Sequence, residues 1–552
     1  MKNLISKTRI FACLFISALL LTGCDPKVES NITPTLDTGD FEIGTSSVEM
    51  AKNMAIGWNL GNTLDATADY TYNGTYYFIS NAGLNTETNW GMPKTTKAMI
   101  TAVKNAGFKT IRIPVSWHNH ITDTNNYTID SSQMARVKEV VDYAYSQNMC
   151  VIINIHHDNM AISKMTDYYG FALTDDSTIQ TKSKSYIEKI WTQIATTFAS
   201  YDNRLVFEVL NEPRDIEGEW TGNEWWTNNS AVFEVITAYE QVAIDAIRAV
   251  SGNEDRYLMV PGYAASGSDN SMLALYTMPT DTATDKLMLS AHAYSPYAFA
   301  MSDTTDTTFD SSDKSSLDSI FAYLKTNYTD KGIGVVMGEA SASDKNNLSD
   351  RVAWSTYYFT KALEAGIPVV LWDNMVTVDN GGDINSGECH GYLNRNSCQW
   401  YFPTMINAMM QAVYGDDYSS TEDDNTASNN EESTSDNNLL SESLDLTTWD
   451  INTSIAASNF SSASSGSKLT FTLEKCSDSS ATYYNIKLTT NWNDSISAGT
   501  FTNASQDSGT ITPSSVPGTF SYTPTDDEWS TIKSAGLIVY GYGVKITSIV
   551  LE

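Results

Sequence analysis

The chain has 552 residues, with 33 Lys and Arg against 66 Asp and Glu, a formal net charge of −33. That acidity argues against a nucleic-acid binder, since phosphate would be repelled, and leaves neutral or cationic partners open. The length exceeds what one hydrophobic core supports, so a large domain plus a smaller one is expected.

At the N-terminus Lys2, Lys7 and Arg9 precede an apolar run over 10–21 that is too short to span a bilayer, the pattern of an export signal. The run ends Leu21-Thr22-Gly23-Cys24, which resembles the bacterial lipobox. The resemblance implies a lipoprotein signal over 1–24, acylation of Cys24, and a mature protein anchored by acyl chains at the cell surface or in the periplasm. An ordinary signal peptide with a secreted product is the alternative. Residues 25–47, polar with Pro26 and Pro34, read as a tether.

From residue 48 short apolar runs alternate with amphipathic helical stretches, the rhythm of βα units around a parallel sheet. The expected strands are 56–60, 110–115, 150–156, 205–210, 257–260, 287–291, 334–337 and 368–372. Between and after them, helices are expected over 94–105, 131–147, 184–198, 232–250, 315–326, 351–364 and 404–413, with Gly107 and Gly366 placed as caps. Eight such units over 48–415 predict a (β/α)8 TIM barrel. An open doubly wound sheet is the alternative, but no glycine-rich phosphate loop follows the first strand.

In a barrel, chemistry gathers at the C-terminal ends of the strands. Arg112 lies on strand two and Trp117 follows it; strand three ends in His156-His157-Asp158 and strand four in Asn211-Glu212. Strand six leads into His292 and Tyr294, strand seven ends in Glu339, and strand eight ends in Trp372-Asp373-Asn374. Polar and aromatic residues at so many strand ends are hard to explain by packing. Glu212 alone reads equally well as a solvated strand-end acid, and the second carboxylate, Glu339, decides for chemistry. Across a barrel the two can approach to the roughly 5–5.5 Å that a retaining glycosidase needs. Two such charges cannot both ionise easily, so one carboxyl is expected to hold a proton. Glu212 has no obvious cation beside it in sequence, whereas Arg112 is the candidate to keep Glu339 ionised.

The stretches GWNLGNTLD (57–65), GFKTIRIPVSW (107–117), VIINIHHD (151–158), FEVLNEP (207–213), HAYSPY (292–297), MGEAS (337–341) and LWDN (371–374) together resemble glycoside hydrolase family 5, in its endo-β-1,4-glucanase and xyloglucanase branch. The resemblance implies an endo-acting enzyme on β-glucan, with Glu212 as acid/base and Glu339 as nucleophile. Arg112, His156, Asn211, His292, Tyr294 and Trp372 then match the surrounding substrate-binding network. Trp90, Trp117, Trp225 and Trp226 are candidate subsite residues, about half of them expected to be packing instead, while His157 and Asp158 read equally as lining a neighbouring subsite or as loop residues. Glu208, four residues before Glu212, should point into the barrel below the active layer. Xylanase or mannanase specificity on the same machinery, and a non-catalytic glycan-binding lipoprotein, are the competing functions.

No HExxH or cysteine-pair pattern marks a metal, and no Rossmann, P-loop or G-x-S-x-G motif occurs, so no cofactor is expected. Cys389 and Cys398 are close in one loop and are the candidate disulfide; Cys150 reads as core. Residues 416–438 are acidic and rich in Ser and Asn, a linker. After it, 439–552 shows short alternating strands between Ser, Gly and Asn turns, an all-β sandwich. Its place behind a glycanase resembles a carbohydrate-binding module, with Trp449, Trp492, Trp529, Tyr540 and Tyr542 as candidate stacking residues and a spacer as the alternative. A monomer is expected.

Overall fold

The structure, a computed structural model, describes residues 39–301, 306–415 and 439–551, apart from 441–442, 450, 456, 461–462, 477–482 and 491–494. The signal, Cys24, the linker and Trp492 lie outside the described residues. Two compact units are present, one holding the barrel and one the C-terminal sheets.

The first unit is a closed parallel barrel of eight strands, each hydrogen-bonded to its neighbours in chain order. They are β1 (Ile56–Asn59), β2 (Thr110–Ile113), β3 (Cys150–Asn154), β4 (Leu205–Glu208), β5 (Leu258–Ser266), β6 (Leu287–His292), β7 (Gly334–Ala340) and β8 (Val369–Leu371). Buried on both faces, these strands are continuous apolar runs, which is why they stand out in the sequence. β5 and β7 run past their expected ends. In β5 the extension carries Pro261, Gly262 and two alanines at positive φ, Ala264 and Ala265, and lacks the β-branched pattern. The extension of β7 places Glu339 inside a strand.

The helix Ser177–Thr197 begins before residue 184, because Asp176 caps it by accepting from the amides of Thr178 and Ile179 and its first turns are polar. A helix absent from the sequence reading, Ser47–Met54, closes the N-terminal end of the barrel. Its Met50, Ala51 and Met54 join Cys150, Ile152, Val206, Tyr257, Met259, Met288, Val336 and Val370 in one core cluster. Phe41 is buried in the same cluster, and Tyr257 donates its hydroxyl to the Gly44 carbonyl at 2.6 Å. The segment expected as tether up to residue 47 is therefore packed from Phe41 onward.

On the outer side of the barrel, the helix Ser230–Arg248 buries Glu240 among apolar neighbours. Tyr276 donates to its Oε2 at 2.7 Å, while Oε1 has no partner among the described residues. Burial pushes this carboxyl well above its ordinary value. The folded state thus keeps a proton that the unfolded chain releases above its carboxyl pKa, and stability from this site falls as pH rises toward the folded pKa. Glu240→Gln is expected to raise the barrel's melting temperature by a few degrees at about pH 8 and by less at about pH 5. Melting curves across pH check this; a gain independent of pH would refute it.

The second unit has two five-stranded antiparallel sheets. Its strands are β9 (Leu444–Leu446), β10 (Asn452–Ile455), β11 (Leu469–Lys475), β12 (Asn485–Thr489), β13 (Thr500–Thr502), β14 (Ala504–Asp507), β15 (Thr510–Pro513), β16 (Gly518–Thr523), β17 (Leu537–Tyr542) and β18 (Val544–Leu551). One sheet runs β9-β18-β11-β16-β13 and the other β10-β17-β12-β15-β14, over a shared core that includes Phe471, Ile486, Phe520 and Val539. It is not all β: the helix Asp526–Ala535, with a Thr525 capping box, inserts Trp529 and Ile532 into that core.

Candidate active site

Arg112 organises the C-terminal mouth of the barrel. On β2, in register with Asn59 of β1, it is fully buried. Its Nη1 donates to Asn59 Oδ1 at 2.9 Å and Glu339 Oε1 at 2.7 Å. Its Nη2 donates to Glu208 Oε2 at 2.6 Å and Asn211 Oδ1 at 2.7 Å. One guanidinium thereby ties together four side chains from three strands, β1, β4 and β7.

Glu208 is the lower carboxylate, as its position on the strand suggests. It is fully buried and accepts from Arg112, from Asn154 Nδ2 at 2.8 Å and from the Ser290 hydroxyl at 2.5 Å. Burial pushes it up, but Arg112 and His292 outweigh burial and hold it at about 2. It is a permanent anion that keeps Arg112 in place.

Glu339 and Glu212 form the upper layer. Glu339 receives Arg112 on Oε1 and the Tyr294 hydroxyl on Oε2 at 2.8 Å. Glu212 Oε1 lies 2.8 Å from His292 Nδ1, and the same nitrogen is 3.8 Å from Glu339 Oε2. One oxygen from each carboxylate and a ring nitrogen of His292 all fall within 4.8 Å of one another. The two acids of the sequence reading therefore meet in the close approach that a double displacement uses.

The proton is placed differently from expectation. Glu212 does have cations beside it: His292, and Arg214, whose Nη1 is 3.6 Å from Oε2. Burial raises the Glu212 carboxyl, but the His292 hydrogen bond and the charges of His292, Arg214 and Arg112 bring it below its ordinary value. Burial alone would lower His292, yet Glu339, Glu208 and Glu212 hold it at about 9. These charges favour the proton on His292, one short hydrogen bond from Glu212. Arg214 was not singled out in the sequence reading. Its signal was its place two residues beyond Glu212, and it is held by Glu224 at 3.0 Å and lies over the Trp225 ring at 4.0 Å.

His156 and Trp372 face one another with nearly parallel rings, 6.0 Å between centroids. Asn154 Nδ2 lies 3.1 Å from His156 Nδ1. Burial, then neighbouring cations, lowers His156 well below its usual range and His157 to about 4, so both are neutral. Trp90 packs near His157, with centroids 5.5 Å apart, and keeps 39% of its surface exposed. Trp225 and Trp226 are also exposed on the rim. Trp117 is a packing residue: it is fully buried and donates Nε1 to the Asn154 carbonyl. Asp158 is likewise structural, accepting from the amides of Trp117 and His118 and from the Tyr186 hydroxyl. The expected Cys389–Cys398 clip is absent, and both are free thiols. Cys389 is buried with its Sγ on the Asp383 carbonyl, while Cys398 lies at positive φ in the turn between Leu393–Asn394 and Gln399–Trp400.

Among the described residues two groups bring ligand-type atoms together, Asp65 with His156 and His157, and Glu212 with His292 and Glu339. In each the acids are already engaged by protein donors: Asp65 accepts from the amides of Asn62 and Thr63, and Glu339 from Arg112 and Tyr294.

The model of the cellulase family, glycosyl hydrolase family 5, matches residues 71–377. The chain belongs to that family. Endoglucanase A of Clostridium longisporum is 40% identical over 388 residues, 68% of each chain. A broad-specificity endoglucanase structure from Ruminococcus flavefaciens is 39% identical, with a TM-score of 0.58, covering 67% of this chain and 99% of that one. A lichenase from a Caldicellulosiruptor species, solved as a glutamine-for-glutamate mutant with cellotetraose, is 37% identical, with a TM-score of 0.58, covering 69% and 99%. This glycoside hydrolase carries the family fold in its first unit, and the matches span about two thirds of its length.

Proposed function

We propose that the protein is a retaining, endo-acting β-1,4-glucanase in which Glu339 is the nucleophile and Glu212 the acid/base. The observation that carries this is the approach of the two carboxylates within 4.8 Å. Glu339 attacks the anomeric carbon and forms a glycosyl ester while Glu212 gives a proton to the departing glycosidic oxygen. Water then enters, gives its proton to Glu212, and releases the sugar with its configuration retained. His292 returns or supplies that proton through its hydrogen bond to Glu212. Tyr294 and Arg112 fix the nucleophile, Asn211 holds the sugar 2-hydroxyl, and Trp372 gives the ring a flat face.

Glucan specificity is supported by the relatives, which act as endoglucanases or lichenase, one of them bound to cellotetraose. Exposed Trp90, Trp225 and Trp226 supply stacking surface along the rim. The N-terminal residues support export as an acyl-anchored lipoprotein at Cys24, and the C-terminal sheets support a glycan-binding module, the whole acting as a monomer.

Product analysis tests the reading. The form lacking 1–24 is incubated with mixed-linkage β-glucan, carboxymethylcellulose, xyloglucan, xylan and mannan. Rapid viscosity loss with oligosaccharide products from the glucans is expected, and preferential cutting of xylan or mannan would replace the substrate assignment. Binding without cleavage of any polymer would move the protein to the glycan-binding class.

A further inference from the structure

We propose that the outer face of the β10-β17-β12-β15-β14 sheet, around Trp449, Tyr483, Tyr540 and Tyr542, binds a β-1,4-linked glucan chain. This rests on the glycan-binding reading of the C-terminal unit and locates the site within it.

Strand alternation sets the face. Along β17, Leu537 and Val539 enter the core, so Tyr540 and Tyr542 point outward, about 7 Å apart. Across the sheet, Tyr540 is in register with Asn452 on one side and Lys487 on the other, and Tyr542 with Asn485. Trp449 meets Tyr540 edge to face at 6.2 Å, and Tyr483 meets Tyr542 at 4.7 Å. Trp449 and Tyr483 remain 37% and 47% exposed. Four rings thus lie in two adjoining pairs on one face, interleaved with amides, an ammonium and the Thr512 hydroxyl, which donates to Asn485 Oδ1 at 3.1 Å.

The opposite sheet provides the contrast. Its outward hydroxyls pair with one another, Thr470 with Ser521 at 3.0 Å and Ser548 with Thr472 at 2.9 Å. Trp529 is sorted out of the candidates by burial, since it packs on Phe460 in the core. Exposed rings on a sheet face contribute little to folding, yet offer apolar surfaces for the C–H faces of pyranose rings, with polar groups beside them for hydroxyls. Among the described residues in the register rows of Tyr540 and Tyr542, Lys487 is the single cation, so the face suits a neutral polymer. The chain's own family membership makes that polymer a glucan.

The test uses the full chain carrying Glu339→Gln, so that polymer is not cut, with microcrystalline cellulose and mixed-linkage β-glucan as probes. Adding Trp449→Ala and Tyr540→Ala is expected to weaken binding roughly tenfold or more, while Trp449→Phe with Tyr540→Phe retains most of it and serves as the folding control. In the active enzyme the alanine pair leaves kcat/KM on an aryl cellobioside unchanged. Parent-like binding by the alanine pair, with binding lost on deleting 439–552, would overturn this face and leave the module reading standing. Undiminished binding after the deletion would overturn both.

Discussion

Replacing Glu339 by glutamine is expected to abolish turnover on every substrate while leaving the fold in place. The amide keeps the shape and can still accept from Arg112, but it has no charge with which to attack carbon. Because both steps of the displacement pass through this atom, the loss should be at least about four orders of magnitude and independent of the leaving group. Arg112 retains Glu208, Asn59 and Asn211, so melting should shift only slightly. Steady-state assays on polymer and aryl glycoside, beside a melting curve, check both halves. Residual activity near wild type would remove Glu339 from the chemistry.

Glu212→Gln should behave differently, with a loss that follows the leaving group. Natural glucan needs the proton and should lose roughly 10²–10⁴-fold, whereas an activated aryl glycoside should lose far less in glycosyl-enzyme formation. The pH profile adds a second reading. The working free enzyme keeps one proton on the Glu212–His292 pair, and His292 is raised to about 9 by the surrounding carboxylates. A group raised in this way stays protonated at neutral pH, so kcat/KM of the wild type should persist into mildly alkaline solution and fall as pH rises through about 9. In Glu212→Gln that alkaline limb should disappear for the activated substrate. Equal losses on both substrates would contradict the assignment.

The barrel was legible because buried parallel strands are rich in apolar residues, and its mouth because polar and aromatic residues gather at strand ends, although Trp117 and Asp158 there turn out to serve packing and structure. Glu208 was placed correctly by strand periodicity alone. What stayed hidden depends on distance through space. Arg214 is adjacent to Glu212 in sequence, but its approach to the carboxylate and its seat on Trp225 are properties of a folded loop. His292 as proton holder follows from three carboxylates converging from two strands, β4 and β7. Trp117 carried the same surface-facing promise as Trp90 in sequence, and its burial and Nε1 bond to the Asn154 carbonyl separate the two. The helix Ser47–Met54 is short and adjoins a polar segment, so its apolar residues gave no clear period.

That short helix also marks the side on which the described chain joins the barrel. It closes the barrel at the end opposite the carboxylates, and Tyr414, at the close of the last barrel helix, bonds the Gly107 carbonyl just ahead of β2 on the same side. The chain therefore both enters and leaves this unit from behind.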